Sequence, residues 1–283
     1  MTRMPALFIG HGSPTNTFDN ISYTRCWRAL GKALPRPKAI LAISAHWYFG
    51  TSAVTAMEHP RTIHDFYGFP ERLSTFQYPA PGAPDLARRV VELAAPFWAG
   101  ADQDQWGLDH GTWSVLAHMY PEADVPVAQL SLNGVKPLEY HVELGAKLAA
   151  LRDEGVLILA TGNVVHNLSL MNRRMANHGE DWAKRFEQAT IDQAAKDPGQ
   201  MLKLLDHPDF DIAVPTPDHF IPLLYIAGLA AAENEPLDCL IDGCMYGAIS
   251  MTTFGLGTDP ALAQILEQAA QAGSLEEAME LAC

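Results

Sequence analysis

Short apolar runs alternate along this chain with longer stretches in which apolar residues return every three or four positions. The apolar runs within 5–14, 39–47 and 155–167, and those over 51–57, 125–132, 237–241 and 247–254, predict strands, from their length and the turn residues that bound them. Helical spacing predicts helices over 23–34, 85–97, 112–119, 137–152, 180–195, 222–232 and 260–271, several of them opened by proline or an acidic residue. Strands alternating with helices of this length imply βαβ units. The expected architecture is therefore α/β: a single three-layer domain over residues 1–258, with a mainly parallel (mixed) central sheet flanked by helices. Residues 259–283 are expected to form a C-terminal helical extension, its last part (274–283) a short exposed helix or frayed tail.

Three of the apolar runs end in the same way, each presenting a histidine: Gly-His-Gly-Ser-Pro at 10–14, Ser-Ala-His-Trp at 44–47 and Gly-Asn-Val-Val-His-Asn at 162–167. In an open parallel sheet, residues just past the carboxyl ends of the strands share one rim, where ligands bind. His11, His46 and His166 thus have a common address, which points to a metal centre. His219 stands in a proline-stiffened approach, Pro215-Thr-Pro-Asp-His-Phe-Ile-Pro222, and His110 at a glycine-flanked turn before a helix. Imidazole is the commonest borderline ligand for zinc and iron. The other six of the eleven histidines share no address and read as ordinary surface or hydrogen-bonded residues.

Residues 59–84 break the pattern, being rich in proline, glycine and aromatic rings. A long aromatic loop inside a compact domain reads as a lid or wall over a site, with Asp65, Phe66, Tyr67 and Phe69 as candidates to line it.

Composition narrows the field. The 283 residues are 48% hydrophobic and 18% charged, with a formal net charge of −14, which disfavours nucleic acid and anionic membrane surfaces as partners. No apolar run approaches the roughly 20 residues that span a bilayer, and the start of the chain enters a strand pattern directly, so a cytoplasmic location is expected. The four cysteines show no Cys-x-x-Cys pairing and read as thiols. No His-Glu-x-x-His, Gly-x-Ser-x-Gly or phosphate-binding glycine loop occurs, so any site must be assembled from distant segments.

Those segments resemble the class III extradiol ring-cleavage dioxygenases, most closely the DOPA-dioxygenase-type branch. Besides the three histidine motifs, the matching pieces are His-Asp-Phe-Tyr-Gly-Phe-Pro at 64–70, Tyr-Pro-Ala-Pro-Gly at 78–82, Asp-His-Gly-Thr-Trp at 109–113 and Pro-Asp-His-Phe-Ile-Pro-Leu-Leu-Tyr at 217–225. The resemblance implies a mononuclear metal held by His11 and His46, with His219 as third ligand ahead of its neighbour Asp218. It implies His166 as catalytic base, or as a fourth ligand when substrate is absent, and His110 as a second acid or hydrogen-bond donor. Asp65 and Tyr67 are then expected to bind the substrate.

Three neutral imidazoles would leave a divalent ion its full charge, a set that suits zinc as well as ferrous iron. Fe(2+) is the expected catalytic metal, and Zn(2+) is expected in purified or crystallised protein. The partners implied are a small catechol and O2, in a monomer or small homo-oligomer. Two other readings compete: a zinc hydrolase in which Asp65 or Asp109 activates water, and a non-catalytic binding protein resembling the Memo proteins.

Overall fold

In the computed structural model, which describes residues 3–280, the apolar runs pair into one eight-stranded sheet. In chain order its strands are β1 (Ala6–Gly10), β2 (Ala39–Phe49), β3 (Ala53–Thr55), β4 (Gly100–Asp102), β5 (Val127–Asn133), β6 (Val156–Gly162), β7 (Asp238–Ile241) and β8 (Thr253–Leu256). They lie side by side as β4-β3-β5-β2-β6-β1-β8-β7. The centre is parallel: β2 pairs with β5 and β6, and β6 pairs with β1. Antiparallel pairing enters where β3 meets β5 and where β8 meets β1 and β7.

Side chains of a strand point alternately to its two faces, and β1 shows what that does here. Ala6 and Phe8 enter a core with Leu86 and Val90 of α2 (Pro84–Ala94), Leu144 of α4 (Leu138–Lys147), Phe186 of α5 (Asp181–Lys196) and Leu223 of α6 (Ile221–Glu233). Leu7 and Ile9 enter the opposite core with Trp27 and Leu30 of α1 (Ser22–Ala33), Leu116 of α3 (His110–Met119) and Leu262 of α7 (Leu262–Glu280). A sheet buried on both faces needs strands that are apolar throughout. That is why β6 reads Val-Leu-Ile-Leu-Ala without alternation.

Several elements differ from the sequence reading. The stretch 247–254 is not one strand: Ile249–Ser250 forms a small ladder with Cys244–Met245, and β8 starts only at Thr253. The chain bends because Ser250 and Met251 are tied elsewhere. Ser250 Oγ accepts from the Val165 N–H at 3.0 Å, and the Met251 N–H donates to the Gly243 carbonyl at 2.7 Å. The helix expected over 137–152 breaks after Lys147 and resumes as a short turn at Ala150–Asp153. α3 starts two residues earlier than its periodicity suggests, because Asp109 caps it. α7 runs to Glu280, and residues 281–283, with Cys283, lie outside the described residues. Among the described residues no helix is long and apolar enough to cross a membrane.

The 59–84 loop is a fastened wall. Its Ile63 carbonyl accepts from Trp113 Nε1 at 2.9 Å, His64 Nε2 meets the Phe76 carbonyl at 2.8 Å, and Tyr78 donates to the Tyr120 carbonyl at 2.8 Å. These bonds hold Asp65 and Phe66 against the start of α3.

Candidate metal centre

His11 and His166 follow the ends of β1 and β6, and His46 lies in β2 just past Ser44, where its pairing with β6 stops; the parallel register of these adjacent strands brings the three level. The His11 N–H donates to the Gly162 carbonyl at 3.1 Å, coupling the ends of β1 and β6. Gly12 follows at φ +64°, a left-handed turn that glycine adopts without cost. Met251, delivered by the bend before β8, fills the space that a side chain at Gly12 would need. His219 reaches the rim because its own carbonyl accepts from the Asn163 N–H at 3.0 Å, just after β6. His110 opens α3 over the same rim. Gly111 lets it approach: a Cβ there would lie 2.5 Å from Ser44 Oγ and 2.9 Å from His46 Cδ2.

All five imidazoles thereby converge. Nε2 of His11 lies 3.0 Å from Nε2 of His46. The His46 ring is 3.9 Å from that of His110 and 5.0 Å from that of His219, while His166 lies against His219 at 3.5 Å. His11 is equidistant from His110 and His219, at 5.5 Å each. By donor atoms the cluster has two halves, each within 4.8 Å: His11, His46 and His110 in one, and His166, Asp218 and His219 in the other.

Two carboxylates set the orientation of three of these rings. Asp65 Oδ1 accepts from Nδ1 of His110 at 3.0 Å, and its Oδ2 lies 2.8 Å from Nδ1 of His46. Asp218 is bonded to Nδ1 of His219. An imidazole that donates Nδ1–H to a carboxylate turns an Nε2 lone pair the other way, the usual support of a metal-binding histidine. Burial opposes ionisation of both carboxyls, yet the histidine bonds prevail and hold each well below the usual carboxylate range.

Burial and mutual repulsion keep the rings neutral: His11 and His219 titrate below their ordinary value, His110 is lowered to about 4 and His166 to about 2. His46 is the exception, because the bond and charge of Asp65 outweigh burial and raise it. Asp109, fully buried, accepts from Ser44 Oγ at 2.6 Å and from Gln129, and caps α3 through the Thr112 N–H at 3.3 Å.

A cation would balance this arrangement electrostatically, because Asp65 and Asp218 are ionised beside it. Neutral imidazoles that aim lone pairs at one another are unfavourable without a positive centre between them, and the 3.0 Å between two Nε2 atoms suits ligands that each sit about 2.0–2.1 Å from a shared ion. The donor set therefore fits a divalent transition metal.

The expected site residues are thus placed as follows. His11, His46, His110, His166 and His219 come together. Asp65 is present but commits both oxygens to histidines. Tyr67 is 95% exposed. Asn163 and Asn167 donate to the Ser250 and Ile212 carbonyls and hold backbone. Sequence reasoning overlooked Gln129 and Ser44, which pin Asp109. The signal was there, since polar residues in otherwise apolar central strands need buried partners.

Comparison with known proteins agrees with this geometry. The family described as the catalytic LigB subunit of aromatic ring-opening dioxygenase matches residues 6–252. A 4,5-DOPA dioxygenase extradiol of Escherichia coli K12 is 48% identical over 264 residues, covering 90% of this chain and 96% of its own. A 4,5-DOPA dioxygenase extradiol of Beta vulgaris is 36% identical over 257 residues, covering 87% and 94%. Among solved structures, an uncharacterised Escherichia coli K12 protein superposes with a TM-score of 0.75 at 41% identity, over 90% of this chain and all of that one.

Proposed function

The chain belongs to the LigB family of aromatic ring-opening dioxygenases, and from that membership we propose that it opens the ring of a DOPA-like catechol by 4,5-extradiol cleavage with O2. The observation that carries this reading is the convergence of five imidazoles, three of them oriented by Asp65 and Asp218. His11, His46 and His219 would hold the metal, with His166 beside them as a fourth donor until substrate arrives. His110 is assigned to the substrate side because Phe66 of the loop wall packs against it at 5.5 Å.

Ferrous iron is the metal assigned, since it supplies open coordination positions for a catechol and O2 and the electron transfer between them, which zinc cannot. The protein's own part is proton handling and exclusion of water. His166, neutral at physiological pH, is the group that would accept a catechol hydroxyl proton, and a metal held by the neighbouring histidines would make that hydroxyl more acidic. His110 has its Nδ1–H committed to Asp65, so it acts through Nε2, taking up a proton before returning one. Phe66, Phe69 and Trp113 pack together beside it and keep that face apolar.

The hydrolase reading is disfavoured on the same geometry. Asp65 is tied to two imidazoles and Asp109 to Ser44, Gln129 and Thr112, which leaves neither free to activate water. Protein loaded anaerobically with iron should consume O2 on addition of L-DOPA and turn yellow as a semialdehyde forms, whereas zinc-loaded protein should do neither. Iron-bound protein that turns over no catechol would overturn the proposal.

A further inference from the structure

Past His46, β2 continues through Trp47, Tyr48 and Phe49 and builds a second feature that the ring-opening chemistry does not account for. It is a cleft of about 390 Å³, the size of a small-molecule pocket. The Trp47 ring lies parallel to that of Phe49, at 6.5 Å and 2°, and to that of Trp106, at 5.7 Å and 5°. Three rings on separate backbone positions therefore share one orientation and form an aromatic wall. The sheet edge adds Gly100 and Ala101 of β4, which leave space. Trp98 lies across Gly100, where a Cβ would come within 2.7 Å of its indole, and it is 68% exposed at the edge of the cleft. A large exposed indole bordering an aromatic cleft is a common mark of a binding surface.

The cleft has no free charge of its own to recognise an ion. Asp102, which lines it, accepts from the backbone N–H groups of Gln105 and Trp106 at 2.8 Å each. Parallel rings, small residues and no available charge suit a flat uncharged aromatic group, which binds by offset stacking. The cleft and the metal centre share one residue, His46. His11, His110 and His219 are buried, but the His46 side chain keeps 18% of its surface, and His46 is part of the cleft lining.

We propose that this cleft holds a second, uncharged aromatic ring carried by the substrate, so that aryl-substituted catechols are a substrate class of this enzyme. The assignment rests on the catechol-cleavage reading above, and it makes Trp98 and Trp106 residues that set specificity rather than catalytic ones.

Two measurements test it separately from that reading. Calorimetric titration of the zinc-loaded protein with biphenyl-4-ol probes the cleft without turnover. Trp98→Ala removes an exposed ring and Ala101→Phe fills the space, and each should weaken this binding at least tenfold. With iron-loaded protein, the ratio of kcat/KM for 4-phenylcatechol to that for catechol should fall by a similar factor in both variants. Biphenyl-4-ol binding that neither substitution weakens, or a ratio that neither moves, overturns the proposal. Should no catechol be cleaved at all, that failure belongs to the dioxygenase reading, and the calorimetry alone decides the cleft.

Discussion

His166 lies flat on His219, their ring centroids 3.5 Å apart and their planes 7° from parallel. Two imidazoles in that contact cannot both carry a proton without strong repulsion; burial, with the neighbouring ring adding to it, pushes His166 down to about 2, and burial lowers His219 as well. The contact places a proton acceptor directly on a proposed ligand, which separates the consequences of removing either ring. His166→Ala should keep its metal and lose about 100-fold or more in kcat, the usual worth of a general base. His219→Ala should lose the metal itself. Metal analysis after gel filtration, with oxygen uptake on the same samples, distinguishes them, and loss of metal from His166→Ala would reverse the roles.

Asp65 bridges two imidazoles, so its charge supports both at once. Asp65→Asn keeps the shape but can accept from only one Nδ1–H while turning its own N–H toward the other. Metal affinity should fall about 10–100-fold, the range typical of a lost supporting carboxylate. Competition with a chelator of known affinity measures it, and an unchanged constant would exclude the supporting role.

Gly111→Ala sets two effects against each other. Alanine is favoured in a helix interior by up to about 1 kcal/mol, and at a helix start the gain is smaller. The added Cβ would meet Ser44 Oγ at 2.5 Å and His46 Cδ2 at 2.9 Å, closer than packed atoms allow. The clash should win at the site without unfolding the protein: a Tm within a few degrees of wild type, with oxygen uptake reduced at least tenfold. Full activity in the variant would show that His46 can shift without consequence.

His141 gives a pH dependence away from the centre. It is fully buried, bonded through Nδ1 to the Tyr225 hydroxyl at 3.1 Å, and burial lowers its titration to about 4. Below an unfolded value near 6.5 the unfolded chain takes up the proton first. The contribution of this residue is therefore complete above about pH 6.5 and is lost as pH falls toward 4, a change on the order of 3 kcal/mol. His141→Gln should lower stability at pH 7 yet flatten its decline between pH 6.5 and 4.5, as read by urea denaturation at each pH. Parallel declines in the two proteins would remove His141 as a cause.

Much of this was legible in the sequence because the rim geometry is repetitive. Apolar strands that end in Gly-His, Ala-His and Val-Val-His identify His11, His46 and His166 by position alone, and the prolines around His219 and the turn before α3 add the rest. The bend at Met251 was not legible, since it depends on Ser250 bonding to Val165 across the fold. Asp65 was read as facing the substrate because its loop is aromatic. That its oxygens lie between two imidazoles depends on Trp113 and His64 fastening the loop, contacts that no local pattern records. The same limit hid the parallel rings of Trp47 and Trp106, which are remote in sequence and meet only in the folded chain.

The bend before β8 has one more consequence. Met251 must pack beneath Gly12, and β8 must lie along β1, before the turn that carries His11 is held in place. Synthesis delivers His11 about 240 positions before Met251, so the turn is held only after β8 has left the ribosome. The turn at His11 therefore takes its final form late in folding and cannot serve as the seed around which the chain first folds.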